Sequence, residues 1–217
     1  MSVLTIYSES FSKLAAYKKD LYCIDVSIDK GGERLGAIYV GTDGGIVCTH
    51  VVFYDLRKQV KTDEFVYSGA FPLGCTFLEG GGFIMVSDSS AVVYDRRLME
   101  KYVSESFGDR AVSGIFCDAE YVAVAVNDGV IVDLNEIMVF NKNGELVFDE
   151  MLLSDVGEIS VHSGYLFINN RSGVVRIGLK NGATEQLRSS DGKMFVYDTS
   201  TVIVCLPSKA VYLDFSN

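Results

Sequence analysis

Val51-Val52-Phe53-Tyr54-Asp55 returns along the chain as Ala91-Val92-Val93-Tyr94-Asp95 and as Ile137-Met138-Val139-Phe140-Asn141. Each copy is an apolar run, an aromatic residue and then a turn-forming or acidic residue. Weaker copies stand at Leu4–Ser8, Val174–Gly178 and Ala210–Asp214. Their last residues are 8, 55, 95, 141, 178 and 214, so the steps are 47, 40, 46, 37 and 36. Self-similarity at that spacing is the period of a four-stranded propeller blade, and no amphipathic helical pattern accompanies it.

The segments around the signature fill out the blade. A second apolar strand precedes each of the last five copies: Leu35–Val40, Phe83–Val86, Tyr121–Val126, Tyr165–Asn169 and Thr201–Leu206. Before each lies another apolar run and a turn, such as Tyr22–Ser27 with Asp29-Lys30-Gly31-Gly32, or Cys75–Leu78 with Glu79-Gly80-Gly81-Gly82. Gly, Asp and Asn supply the conformations that tight hairpins need. A more polar strand follows the signature, as at Glu145–Leu152 and Thr184–Leu187. Four strands, the inner two most apolar and the outermost most polar, predict an all-β fold. It is a β-propeller or partial propeller of about five four-stranded antiparallel blades. Residues 1–217 then form one propeller-like domain, with repeats at 1–20 (partial), 21–68, 69–107, 108–153, 154–190 and 191–217 (partial). In this register Ser10–Lys19 and Arg96–Glu105, which have some helical character, are read as hairpin strands.

The chain opens on the third strand of a repeat and closes on the third strand of another. Closing a ring with those ends leaves one strand too many, which suggests a displaced strand or an arc of a longer propeller. Open blade edges invite pairing, so the expectation is a homo-oligomer formed through them.

Composition narrows the function classes. The net charge is −10, with 5 basic and 16 acidic residues between 71 and 160. Nucleic acid is an unsuitable partner, because phosphate binding rests on Lys and Arg; a basic partner suits the acidic segment. No apolar run approaches the roughly 20 residues of a membrane span. The five cysteines, 23, 48, 75, 117 and 205, show no zinc-like spacing, and most lie in strand-like runs, which reads as buried free thiols.

The two longest repeats owe their length to the segments Gly41–His50 (GTDGGIVCTH) and Asn127–Glu136 (NDGVIVDLNE). Equivalent hairpins of successive blades open on the same face, so, read as hairpin loops, both segments crown one end of the protein, and loops on a rigid scaffold concentrate binding residues. The candidate binding residues are therefore Thr42, Asp43, Thr49, His50, Asn127, Asp128, Asp133, Asn135 and Glu136. The plainer alternative is that both segments merely lengthen a hairpin. Asn127-Asp128-Gly129 with Asp133 and Glu136 offers oxygen ligands, but the spacing is not a calcium loop. The two histidines, His50 and His162, fall on different hairpin types, so neither a zinc site nor a catalytic pair is expected.

No catalytic or cofactor motif appears: there is no G-x-G-x-x-G, no P-loop and no G-x-S-x-G. Neighbouring carboxylates such as Asp149-Glu150 point to opposite faces of a strand. The chain contains no Trp, and so lacks the WD dipeptide, the sialidase Asp-box and the quinoprotein docking pattern.

The run Tyr22–Ser27, the Gly-Gly turn, Leu35–Val40, GTDGGIVCTH, VVFYD and then FLEGGGFIMVSDSSAVVYD resembles an uncharacterised bacterial family, mostly from gut Firmicutes. That family is a domain-of-unknown-function family of membrane-anchored β-propeller proteins with WD-like or quinoprotein-like blades. The closing run KMFVYDTSTVIVCLPSKAVYLDF is similar to its C-terminal half. The resemblance covers nearly the whole chain, rests on blade marks and supplies no catalytic residues. It implies a parent protein tethered at the cell envelope and facing outward. This chain departs from it by lacking the membrane helix and the earlier blades.

The reading is a non-catalytic module that binds a protein, peptide or glycan, without a cofactor or metal. The alternatives are a carboxylate-based glycosidase or lyase using Asp43, Asp128 and Asp133, and a purely structural scaffold.

Overall fold

The structure, a computed structural model, describes residues 2–7, 10, 12–118, 120–128, 134–153, 156–189 and 192–216. Among them every regular element is a β-strand, and no helix is long and apolar enough to cross a membrane. The chain forms two compact units, Met1–Gly108 and Asp109–Asn217.

Unit 1 holds a hairpin and two four-stranded sheets. The hairpin pairs β1 (Ser2–Tyr7) with β2 (Lys13–Lys19), so the segment with helical character is a strand. The first sheet runs in chain order through β3 (Tyr22–Ile28), β4 (Arg34–Asp43), β5 (Ile46–Asp55) and β6 (Val60–Ser68). The second does so through β7 (Pro72–Phe77), β8 (Phe83–Ser87), β9 (Ala91–Tyr94) and β10 (Glu100–Val103). Unit 2 repeats the pattern. Its sheets are β11 (Ala111–Cys117) to β14 (Leu146–Leu153), with β12 at Tyr121–Asn127 and β13 at Leu134–Asn141. Then come β15 (Glu158–His162), β16 (Tyr165–Asn170), β17 (Gly173–Gly178) and β18 (Thr184–Leu187), and a three-stranded sheet of β19 (Lys193–Val196), β20 (Thr201–Cys205) and β21 (Ala210–Asp214). Every pairing is antiparallel between chain neighbours, as short hairpins require.

Burial is deepest in the middle strands, where the signature lies. Strands alternate their side chains between two faces, and here both faces are covered. Leu35, Ala37, Tyr39, Val52 and Tyr54 pack with Ile6 of the hairpin. Ile38, Val51 and Phe53, on the opposite face, pack with Phe83, Met85 and Tyr94 of the next sheet. Gly36 sits where a Cβ would overlap the Phe83 ring. Unit 2 does the same, with Ala123, Ala125, Ile137 and Val139 against Ile159, Leu166 and Ile168. Burying apolar surface on both faces contributes about 1.5–3 kcal/mol for each large side chain, and explains why these segments read as continuous apolar runs. The first strands are less buried. In β3 the odd-numbered Cys23, Asp25 and Ser27 are half-buried, while Tyr22, Ile24, Val26 and Ile28 are exposed.

The signature's last residue earns its identity in the turn that follows. Asp55 Oδ1 accepts the Lys58 N–H at 2.8 Å, and Asp95 Oδ1 those of Arg97 and Met99 at 2.7 and 3.0 Å. Asn141 Oδ1 accepts from Asn143 and Glu145, and Asp214 Oδ1 from Ser216. An Asx side chain thereby replaces a backbone acceptor at the end of a strand. Hydrogen bonds also tie neighbouring sheets together. Asp25 Oδ2 accepts the Cys75 N–H at 2.9 Å and Ser27 Oγ the Phe77 N–H at 2.9 Å, so the edge donors of β7 are satisfied by side chains of β3. Glu158 likewise accepts the Met194 N–H at the edge of β19.

The cysteines depart from the expectation of buried thiols. Cys48 and Cys75 are buried and Cys23 is half-buried, but Cys117 and Cys205 are exposed. Both end their strands, where alternation turns them outward. Burial pushes the Cys75 thiol well above its ordinary pKa, and a nearby Asp25 adds to the shift.

Candidate functional site

The segment Gly41–His50 is not a loop. β4 continues to Asp43 and β5 starts at Ile46, with Gly41 opposite Cys48, Thr42 opposite Val47 and Asp43 opposite Ile46. The turn is Gly44-Gly45 alone, with φ of +57° and +85°. Two residues in the left-handed region match the twist of the flanking strands, so the pairing runs to the tip. The plainer expectation of a lengthened hairpin describes this segment. Thr42 and Asp43 are exposed beside the turn. Thr49 is fully buried, and its Oγ1 donates to the Ala70 carbonyl at 2.6 Å, which removes it from any binding surface. His50 Nδ1 lies 2.8 Å from Glu64 Oε1. The same oxygen accepts Lys19 Nζ at 2.6 Å, and Glu64 Oε2 accepts Lys61 Nζ at 3.0 Å. Burial pushes the Glu64 carboxyl up, but its hydrogen bonds from Lys19, His50 and Lys61 outweigh that and hold it at about 2. This cluster joins the hairpin to the first sheet.

In unit 2 the described ends of the corresponding segment are also ladder, and residues 129–133 lie outside the described residues. Asn127 pairs with Asn135 and Val126 with Glu136. Asn127 Nδ2 donates to Asn135 Oδ1 at 3.1 Å, and Asn135 is buried. Glu136 forms an ion pair with Arg110. Asp128 is half-buried, and Asp133 lies outside the described residues. Of the carboxylates that the glycosidase reading needs, no two are described within one unit. Among the described residues no group of three or more His, Cys, Asp or Glu is arranged to hold a metal ion.

Among the described residues, clefts lie at the opposite ends of the strands, where the first-to-second and third-to-fourth turns meet. In unit 1, between its two sheets, there is a cleft of about 180 Å3 at Asp29, Arg34, Gly81 and Arg96. Arg34 occupies it. Its Nη2 donates to the Gly81 carbonyl at 2.8 Å, its Nη1 to the Arg96 carbonyl at 3.4 Å and its Nε to Asp29 Oδ2 at 3.1 Å. The guanidinium lies 4.9 Å from the Phe77 ring centre. Asp29 is prepared for this role. Its Oδ1 accepts the Glu33 and Arg34 N–H groups, and these bonds with Arg34's charge hold its carboxyl below the usual range despite burial, which opposes them.

In unit 2, between the sheets β11–β14 and β15–β18, the corresponding cleft is larger, about 320 Å3. Glu120, Tyr121, Ser163, Tyr165, Lys180 and Asn181 line it. Asp118 ties together the two turns that carry these residues: Oδ1 accepts the Glu120 and Tyr121 N–H groups at 2.7 Å each, and Oδ2 the Ser163 N–H at 3.2 Å. Ser163 holds a φ of +47°, an unusual backbone for a non-glycine residue, and turns the β15–β16 connection around the cleft. None of these lining residues was a sequence candidate. The available signal was the turn Asp118-Ala119-Glu120-Tyr121 followed by His162-Ser163-Gly164-Tyr165; nothing local said that the two turns meet.

Comparison with known proteins bears on the scaffold. No curated protein matches the chain. The WD40 domain of Pan2 from Neurospora crassa is similar, with a TM-score of 0.59 at 10% identity, covering 99% of this chain and 70% of that one. The Dos1 propeller is similar with a TM-score of 0.53 at 10% identity, covering 91% of this chain and 59% of that one. At such identity the likeness shows the fold, a β-propeller type of all-β architecture, as the four-stranded sheets already indicate. The family model "Family of unknown function (DUF5711)" matches residues 2–200, and the chain belongs to that family.

Proposed function

We propose that this chain is a non-catalytic interaction module that binds a segment of a partner protein in the turn-end cleft of unit 2. The observation that carries this is the cleft itself, which joins two half-buried tyrosines, Tyr121 and Tyr165, to the polar Glu120, Ser163, Lys180 and Asn181. Aromatic surface with a few fixed polar groups is the composition of a recognition site. The turns around it are held by Asp118 and by the Leu179 N–H bond to the Gly164 carbonyl at 3.0 Å, so the site costs little ordering on binding. The long hairpins proposed from sequence carry less of this reading, since Thr49, His50, Asn135 and Glu136 are engaged within the fold.

The test is a peptide and glycan array probed with the chain and with Tyr121→Ala, the variant's cooperative unfolding being confirmed first. The expected result is a set of bound peptides that the variant loses. Binding to neither array, or binding untouched by the variant, overturns the assignment. A place at a bacterial cell envelope belongs to the same proposal and is supported by the resemblance of the blade marks. Recovery of the native protein in the cytosolic fraction would sink that part.

A further inference from the structure

The first strands of the sheets are covered in one recurring way, and β3 departs from it. Cys75 and Phe77 of β7 share a core with Ile38, Val51 and Phe53 of the preceding sheet. Ile159 and Val161 of β15 do so with Ala123, Ala125 and Ile137, and Met194 and Val196 of β19 with Phe167 and Val174. This cover comes from the inner strands of the preceding sheet: β3 and β4 touch β7, and β11 and β12 touch β15. Cys75, Ile159, Val161 and Met194 are accordingly only 4% to 9% exposed.

Against the first sheet of unit 1 stands only the two-stranded hairpin, and its contacts fix where it lies. Tyr17 of β2 rests on Tyr54 of β5, with ring centres 4.0 Å apart, and Lys19 pairs with Glu64 of β6 at 2.6 Å. Ile6 of β1 packs with Leu35, Ala37 and Tyr39 of β4 and with Val52 and Tyr54 of β5. Ser2 Oγ, at the start of β1, accepts the Cys23 N–H of β3 at 3.0 Å. β2 therefore lies over the outer strands and β1 over the middle ones, so the second edge of β1 runs on the side of β3. Among the described residues β1 pairs with β2 alone. Directly opposite residues of an antiparallel pair lie on one face. Val26 stands opposite Ala37 and Ile28 opposite Leu35, so all four are on the face that carries the hairpin. Ala37 and Leu35 are 0% and 1% exposed, whereas Val26 and Ile28 beside them are 40% and 48% exposed. An uncovered apolar step thus adjoins an unpaired strand edge, and on the far face of the hairpin Val3, Tyr7, Ala16 and Lys18 are exposed.

We infer that unit 1 takes an extended segment of a partner polypeptide, which pairs antiparallel with the edge of β1 and lays alternate apolar side chains on Val26 and Ile28. Each side of the place defines the occupant. β1 offers a row of backbone donors and acceptors, which another strand satisfies in series. Val26 and Ile28 call for an apolar residue at every second position, and the residues between, on the far face, are polar. The chain repeats this arrangement within itself. β4, β8, β12, β16 and β20 each pair antiparallel with the signature strand that follows them, and β1 carries a signature copy without such a partner. The surface belongs to unit 1 and is independent of the cleft in unit 2.

The experiment titrates the chain with blocked Lys-Val-Thr-Val-Thr-Val-Lys, read by amide hydrogen exchange and by methyl resonances. Saturable binding that slows exchange in β1 and shifts the methyl groups of Val26 and Ile28 is expected. Two further peptides carry N-methyl groups on the amides of one edge or of the other. The one methylated on the edge that meets β1 should bind about tenfold more weakly, since it loses a row of hydrogen bonds, and the other should bind as before. Val26→Lys, at an exposed position and with cooperative unfolding confirmed, should weaken binding severalfold. Absence of saturation, unaltered exchange in β1, equal behaviour of the two methylated peptides, or undiminished binding by Val26→Lys would overturn the inference. A mass that rises with concentration in the chain alone and no longer rises in Val26→Lys would give the site to a second copy, and overturns it too.

Discussion

The carboxylate of Asp25 on β3 accepts the backbone N–H of Cys75 on β7 at 2.9 Å, joining two sheets that share no ladder. Its other oxygen accepts the Val26 N–H at 2.8 Å, beside the irregularity between Cys23 and Asp25. The edge of β7 would otherwise present an unsatisfied donor, and leaving one costs about 1–3 kcal/mol. Asp25→Ala should therefore lower the unfolding free energy by about 2 kcal/mol in urea. Asp25→Asn keeps one acceptor and should recover about half of that. Equal losses for the two variants would show that charge rather than acceptance matters here.

Gly36 and Phe83 make a second such pairing, by shape. The ring of Phe83 fills the space that a Cβ on Gly36 would need, in the fully buried core between the two sheets of unit 1. Gly36→Ala should cost about 1–3 kcal/mol through overpacking. Phe83→Leu alone should also destabilise, but the double variant should be less unstable than the sum of the singles, because the smaller side chain relieves the clash. Strict additivity in a double-mutant cycle would refute the contact as the cause.

The architecture was legible because burial on both faces leaves uninterrupted apolar runs, Leu35–Val40 and Val51–Tyr54 among them, each closed by a turn residue with a physical job. Asp55, Asp95, Asn141 and Asp214 mark the signature in sequence because each accepts backbone N–H groups in the turn that follows. The hairpin Gly41–His50 misled for a related reason. Thr42, Asp43, Thr49 and His50 look like loop residues, yet only Gly44-Gly45 turns; all four stay in the ladder, and the side chains of Thr49 and His50 have partners of their own. The cleft was not legible at all. Its walls come from turns far apart in the chain, joined by the Asp118–Ser163 hydrogen bond across 45 residues, which no local pattern reports.

Thr49 separates a fold role from a binding role. Its buried hydroxyl holds the Ala70 carbonyl at 2.6 Å, just beyond the end of β6. Thr49→Val preserves shape and removes the donor, and should cost about 1–2 kcal/mol; Thr49→Ser should cost less than half as much. Ligands found on the arrays should bind both variants as they bind the parent chain. Loss of binding by folded Thr49→Val would return the long hairpin of unit 1 to the site.

We propose that the chain self-associates through an open sheet edge. β21 pairs with β20 alone among the described residues, and Tyr212 on it is 72% exposed. An unpaired strand offers donors and acceptors to another chain. Light scattering should show a mass that rises with concentration, and Tyr212→Lys should reduce the rise, since a charge on an edge discourages pairing. A constant monomer mass at high concentration would remove this proposal.

The cluster around Glu64 should make stability depend on pH in a defined window. The folded carboxyl sits at about 2, below its ordinary 4.5, because Lys19, His50 and Lys61 prefer it charged. A group whose pKa is depressed by folding stabilises the native state above the unfolded value and loses that contribution as pH falls through the folded one. Glu64→Gln should therefore be less stable than the parent chain at pH 7 by about 1 kcal/mol, a figure kept small by the partial exposure of the ion pairs. The difference should shrink between about pH 4.5 and about pH 2, as protonation of Glu64 in the parent chain removes what the substitution removes. Denaturation at several pH values measures it directly, and a gap that stays constant down to pH 2 would mean that Glu64 acts through packing and not through its charge.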